Sequence, residues 1–147
     1  MFSGLVKITI CEAKDLRVTD YMMRFRNFVV APTSGKVPSE SSHASLSLDP
    51  YVTIDVDDEN KDRTQAKIKT FDPQWNESFE FRVTGALQLG LKVFHVSTVG
   101  TDDFVADATV SFEDVINEHQ NQADLWVRIR YFFTYMLYCM KMSFMYN

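Results

Sequence analysis

Lys61, Arg63, Gln65, Lys67 and Lys69 occupy every second position of one stretch. Successive side chains of an extended chain point to opposite faces, so this spacing gathers the cations on one face and leaves Asp62, Thr64, Ala66, Ile68 and Thr70 for the other. Such a stripe suits anionic lipid headgroups, at about 1 kcal/mol per basic residue near the surface. It equally suits a solvated face that keeps sheet edges from pairing. A second stretch, Tyr21 to Val30, mixes apolar and basic types. Met22, Met23, Phe25 and Phe28 fit a membrane interface, and Arg24 and Arg26 can lay their stems along it with the guanidiniums at phosphate level. The alternative is a lid packed on the body of the domain. The acidic run Asp55 to Asn60 looks like the start of a divalent-cation loop. It has Asn60 where such a loop needs Gly and Ala66 where it needs Glu, so it reads as a hairpin turn.

Catalytic chemistry finds little to build on. His43, His95 and His119 are scattered and belong to no metal or nucleophile motif. There is no Gly-rich phosphate loop, and the residues a kinase uses to hold Mg-ATP are missing. The reading is a non-enzyme that needs no cofactor. A net charge of -5 speaks against nucleic acid as a partner. Cys11 and Cys139 fit neither a metal spacing nor a disulfide framework, and Cys11 reads as a small core residue.

The elements that must position these residues are short and alternating. Val6, Ile8 and Ile10, then Val52, Ile54 and Val56, then Phe79, Phe81 and Val83, then Leu89, Leu91 and Val93 recur with period two. That period predicts strands with one buried face, and several of them predict a sandwich of two sheets. Phe112 to Glu118 predicts one short helix capped by Ser111. Asp20 to Leu48 is a long connection whose Ser-rich second half carries two prolines. The last stretch, Tyr131 to Asn147, is mostly aromatic and Met, with Lys141 inside it, and does not read as another alternating strand. Met1 to Ile10 lacks the pattern of a cleaved export signal, and position 2 is Phe, which excludes myristoylation. The expected location is the cytoplasm, with peripheral membrane association on activation.

Three motifs then stand in order: Leu48-Asp-Pro-Tyr-Val52, Asp72-Pro-Gln-Trp-Asn-Glu-Ser-Phe79 and Asp102-Asp-Phe-Val105. They resemble the signature elements of C2 domains. Gly4 to Ala13, and Lys92 to His95 followed by Asp102 to Ala106, resemble more narrowly the calcium-independent C2 domain of novel protein kinase C of the epsilon/eta type. The resemblance implies an all-β, eight-stranded antiparallel sandwich of permuted C2 topology over residues 1-127, with 21-48 as a long first loop. Residues 128-147 are set apart as an atypical tail in place of the last strand, and the chain reads as a member of this group truncated after the domain.

Calcium-binding C2 domains hold the ion with Asp side chains from the first and third loops. The corresponding positions here are Asp20, Asp49, His95, Ser97 and Asp103. An imidazole and a hydroxyl are poor replacements for two carboxylates around a hard cation, so the site is read as degenerate. The implied function is calcium-independent docking to anionic phospholipid, phosphatidic acid or phosphatidylserine, through Lys61, Arg63, Lys67, Lys69 and the Met22 to Phe28 segment. The alternatives are an anchoring protein or the masked face of a kinase as the docking partner, and, behind these, a calcium-dependent lipid binder.

Overall fold

The computed structural model describes residues 1-18, 47-98, 100-118, 122-128 and 139-146. Its strands are β1 (Phe2–Ala13), β2 (Pro50–Val56), β3 (Glu59–Arg63), β4 (Gln74–Ala86), β5 (Gln88–His95), β6 (Asp103–Ser111), β7 (Gln122–Arg128) and β8 (Cys139–Tyr146), with helix α1 (Phe112–Glu118) between β6 and β7. They form two four-stranded sheets, ordered β4-β1-β8-β7 and β3-β2-β5-β6, and every pairing is antiparallel. Among the described residues no helix is long and apolar enough to cross a membrane.

The alternation seen in the sequence becomes the core between the sheets. Val6, Ile8 and Ile10 of β1 meet Val52, Ile54 and Val56 of β2 and Leu89, Leu91 and Val93 of β5, all buried. Phe79 and Phe81 pack against the margin of that core on the edge strand β4. Trp75 ties the sheets together. Its ring is buried, and its indole N–H, on β4, donates to the carbonyl of Pro50, on β2, at 3.3 Å. That bond satisfies a donor that would otherwise be desolvated without a partner. Cys11 is not the core residue the sequence suggested. It lies half-buried on β1, with its thiol near the carbonyl of Thr9, because its odd register places it opposite to Ile8 and Ile10.

Local rules account for the turns. Asp57 and Asp58, between β2 and β3, have φ of 47° and 67°, the paired left-handed conformation that matches the twist of a tight hairpin. The Asp57 carboxylate also accepts the N–H groups of Leu87 and Gln88 at 2.9–3.2 Å, which fixes the crossing from β4 to β5. Helix α1 begins as expected: the hydroxyl of Ser111 accepts from Glu113 N at 3.2 Å and Asp114 N at 3.5 Å.

Two features depart from the sequence reading. Cys139–Tyr146 is β8, seated between β1 and β7, so part of the stretch set apart as a tail supplies a strand of the sandwich. Its ladder pairs Met142, Phe144 and Tyr146 with Ile10, Ile8 and Val6. The basic stretch, in turn, is not one strand. A register shift between Ile54 and Asp55 leaves Lys61 as a bulge, and β3 stops at Arg63.

Candidate functional site

The connection that follows β3 runs back along the start of β2 under a dense set of hydrogen bonds. The N–H and hydroxyl of Thr64 pair with the carbonyl and N–H of Val52 at 2.9 and 3.0 Å. Lys67 N–H reaches the Pro50 carbonyl at 3.0 Å, and Thr70 N–H reaches the Leu48 carbonyl at 2.8 Å. Gln65 N–H is held by the Glu77 carboxylate at 3.1 Å. Lys69, with φ of 53°, donates its N–H to Oδ1 of Asp49 at 2.7 Å. This places Lys67, Ile68 and Lys69 on a pinned turn at the end of the sandwich where β2 begins and β5 finishes.

Asp49 is the hub of that end. Its carboxylate holds Lys69 N–H, its own N–H donates to Nδ1 of His95 at 2.9 Å, and its carbonyl accepts Val96 N–H at 3.1 Å. His95 is thus an acceptor at Nδ1, which assigns its ring proton to Nε2. Asp103 opens β6 directly across the ladder from His95. Ser97 N–H donates at 3.0 Å to Oδ1 of Asp102, whose Oδ2 accepts the Tyr51 hydroxyl at 2.8 Å. The Ser97 amide, and after it the Tyr51 hydroxyl, hold the Asp102 carboxyl below the usual carboxylate range. Burial, and then the bond to Asp102, push the Tyr51 phenol up. Among the described residues no three His, Cys, Asp or Glu side chains converge as a metal ion would require.

Aromatic rings line up across the outer face of the β3-β2-β5-β6 sheet. The Arg63 guanidinium sits 5.4 Å from the Tyr51 ring centre, Tyr51 stacks on Phe94 at 5.7 Å, and Phe94 meets Phe104 edge-on at 5.9 Å. On the same sheet, Asp55 is 7% exposed and receives Lys92 Nζ at 2.6 Å, a bond that raises the Lys92 pKa.

The sequence-predicted basic residues are therefore split. Lys61, at the bulge, donates to Glu59 at 2.8 Å and lowers that carboxyl's pKa. Arg63 covers Tyr51. Lys67 and Lys69 stand on the pinned turn, and among the described residues neither is in an ion pair. Asp20 and the segment holding Met22, Met23, Arg24, Phe25, Arg26 and Phe28 lie outside the described residues. Sequence reasoning passed over Asp102 and Tyr51. The signal for them was the phenol itself: a tyrosine in a buried strand start needs an acceptor, and the Asp102-Asp pair offers one.

The model of the C2 domain family matches residues 4–129. The chain is 42% identical over 129 residues to "Protein kinase C" of Drosophila melanogaster, covering 88% of this chain and 16% of that protein. It is 34% identical over 127 residues to "Protein kinase C epsilon type" of Rattus norvegicus, covering 86% of this chain and again 16% of the relative. Among solved structures, "C2 domain-containing protein from putative elicitor-responsive gene" superposes with a TM-score of 0.65 at 21% identity, over 99% of this chain and 89% of that one. The last likeness is one of fold; the first two place the resemblance in the C2 region of novel protein kinase C. The chain belongs to the C2 domain family.

Proposed function

We propose that this C2 domain is a non-catalytic, calcium-independent module that docks from the cytoplasm onto anionic phospholipid membranes of the phosphatidylserine or phosphatidic acid class. The observation that carries the reading is the turn at Lys67 and Lys69. Its two ammonium groups have no acidic partner among the described residues, and Asp49 holds the turn's backbone in place. Calcium independence draws support from the same network. Asp49 commits a carboxylate oxygen to a backbone amide, and His95 turns its acceptor nitrogen toward Asp49 N–H, leaving a donor nitrogen where a calcium site needs oxygen. Lys61 and Arg63 are secondary contacts in this scheme. Met22, Met23, Phe25 and Phe28, with Arg24 and Arg26, are proposed to enter the interface from the first loop.

Cosedimentation with phosphatidylserine- or phosphatidic-acid-containing vesicles in a calcium chelator tests it. At about 1 kcal/mol per basic residue, neutralising Lys67 and Lys69 lowers partitioning by roughly thirtyfold, and Lys67→Glu/Lys69→Glu lowers it further. The parent's failure to bind acidic vesicles at low salt refutes the reading. A strict calcium requirement refutes the calcium-independent half.

A further inference from the structure

β4 is the longest strand of the sandwich, and among the described residues it is paired on one side only, by β1. Its other side presents a row of backbone N–H and C=O groups to any further strand, a hazard that edge strands ordinarily blunt. β3 is blunted by its bulge and its five-residue length, and β6 runs straight into α1. β4 has neither device along its middle, and no proline or lysine. Left-handed residues mark the two ends of its regular part, Asn76 with φ of 52° and Gly85 with φ of 67°. Between them Glu77 to Val83 keep an unbroken register with Ile10 to Gly4. A flat, regular edge of this kind is what strand addition requires.

The side chains of that edge say what would pair with it. Two identical strands that meet antiparallel about a two-fold axis must set one residue opposite its own copy. With Phe81 on the axis, the sequence Ser78-Phe-Glu-Phe-Arg-Val-Thr84 complements itself. Glu80 then faces Arg82 of the second copy, and Arg82 faces Glu80. Phe79 faces Val83, Phe81 faces Phe81, and Ser78 faces Thr84. Opposite charges, aromatic pairs and aromatic-to-β-branched pairs across a ladder all stabilise it. Moving the axis by one residue sets Glu80 on Glu80 or Arg82 on Arg82, which is repulsive. The charged residues also lack partners at home. Glu80 and Arg82 are exposed and in no ion pair among the described residues, and Arg82 has Leu5 across from it on β1. Phe79 and Phe81 lie only partly buried at the margin of the core, where an added strand would cover them.

We infer that the β4 edge is a self-association surface whose partner is a second copy of this chain, paired antiparallel about Phe81 with two Glu80–Arg82 contacts across the joint. The two β4-β1-β8-β7 sheets then run on as one sheet of eight strands. One added strand on each side makes a joint below the size of stable interfaces, so the dimer is weak and reversible. The inference is independent of the proposed lipid docking, which uses the other sheet and its loops, and it is tested without lipid.

Sedimentation equilibrium of the whole chain at physiological ionic strength, over loadings up to about 1 mM, reads the association. The parent is expected to show a monomer–dimer equilibrium. Glu80→Arg and Arg82→Glu each replace two opposite-charge pairs by two like-charge pairs, and each is expected to weaken the dimer about tenfold or more. The charge exchange Glu80→Arg/Arg82→Glu leaves the net charge as it was and is expected to restore it. A mixture of the two single variants is expected to associate better than either alone, because each then meets the opposite charge across the ladder. Glu59→Arg makes the same change of charge on the edge strand β3 of the other sheet and is expected to leave the dimer unchanged. Thermal unfolding of every variant confirms that the fold persists; the substituted side chains are exposed. A parent that stays monomeric throughout the range overturns the inference. So does a dimer that the single substitutions leave intact, or one that the charge exchange fails to restore.

Discussion

Tyr51→Phe removes one hydrogen bond and little else. The Tyr51 side chain is packed between the Arg63 guanidinium and the Phe94 ring, and both contacts are made by the ring, which Phe retains. What is lost is the 2.8 Å bond from the hydroxyl to Oδ2 of Asp102. A hydrogen bond to a charged group contributes about 1.5–3 kcal/mol, and its loss costs more when the partner is left buried and unsatisfied. Asp102 is half-exposed and keeps the Ser97 amide, so water refills the vacated position. The expected loss is therefore at or just below the lower end, about 1 to 1.5 kcal/mol, or a fall in Tm of roughly 2–6 °C for a chain of this size. Urea unfolding should show a lower midpoint at an unchanged slope. The pH dependence supplies a sharper check. The Tyr51 phenol is raised in the folded state, so its contribution is complete below the ordinary phenol value of about 10 and is lost as pH rises from there through the folded value. The Asp102 carboxyl is lowered, so its contribution is complete above the ordinary carboxylate range and is lost as pH falls through the folded value. The gap between parent and Tyr51→Phe should be widest near neutrality and should narrow toward both extremes. The other ionising groups are common to both proteins and cancel in the difference. A gap that stays flat from neutral pH to well past the ordinary phenol range would show that the hydroxyl is not bonded as described.

Two further substitutions test the scaffold at its far end. Asp57→Ala deletes the carboxylate that accepts Leu87 and Gln88 N–H and puts Ala at a φ of 47°, which should cost about 1–2 kcal/mol in urea unfolding; Asp57→Asn, with an acceptor and a tolerance for that φ, should cost less than half as much. Gly85 has a φ of 67° and open space where a Cβ would sit, so Gly85→Ala should cost about 1 kcal/mol from backbone strain alone, and Gly85→Asn should recover part of it.

How much of this was legible in the sequence follows from what each feature depends on. The core strands depend on period-two burial, and the alternating apolar sets of β1, β2 and β5 are the residues the structure buries. The hairpin and the helix cap depend on short-range chemistry, and Asp57-Asp58 and Ser111 carry it in their side chains. The end of β3 depends on something periodicity does not express. At Thr64 a hydroxyl accepts the Val52 N–H that a carbonyl would take in a continuing ladder, and the chain leaves the sheet. The bulge at Lys61 likewise shifts the face by one position, which dissolves a stripe that spacing alone makes continuous. β8 was hidden differently. Met140, Met142 and Phe144 do alternate with Lys141 and Ser143, but the Met- and aromatic-rich run around them masks the period. The network at Asp49 was half visible. The sequence put Asp49 and His95 among the corresponding loop positions, while the hydrogen bond between them spans 46 residues and needed the pairing of β2 with β5 to appear.

In the calcium-independent docking proposed above, Asp49 is the residue that organises this end of the sandwich. A bound cation would draw neighbouring loops together through shared ligands, and the loops would lose ordering entropy when it arrived. Here three hydrogen bonds from one residue already join the Lys67–Lys69 turn, the end of β5 and the connection after it. The Lys67–Lys69 turn is thus ordered by the fold itself, and in the proposed docking less of the contact energy is consumed in ordering it. The arrangement also sets a limit. In the proposed docking the two lysines supply about 2 kcal/mol, short of the about 4 kcal/mol of millimolar affinity and of stable anchoring. Lasting attachment in that scheme requires another contact, and the stretch Tyr21 to Val30, with its Met, Phe and Arg residues, is the part of this sequence with the composition to provide it.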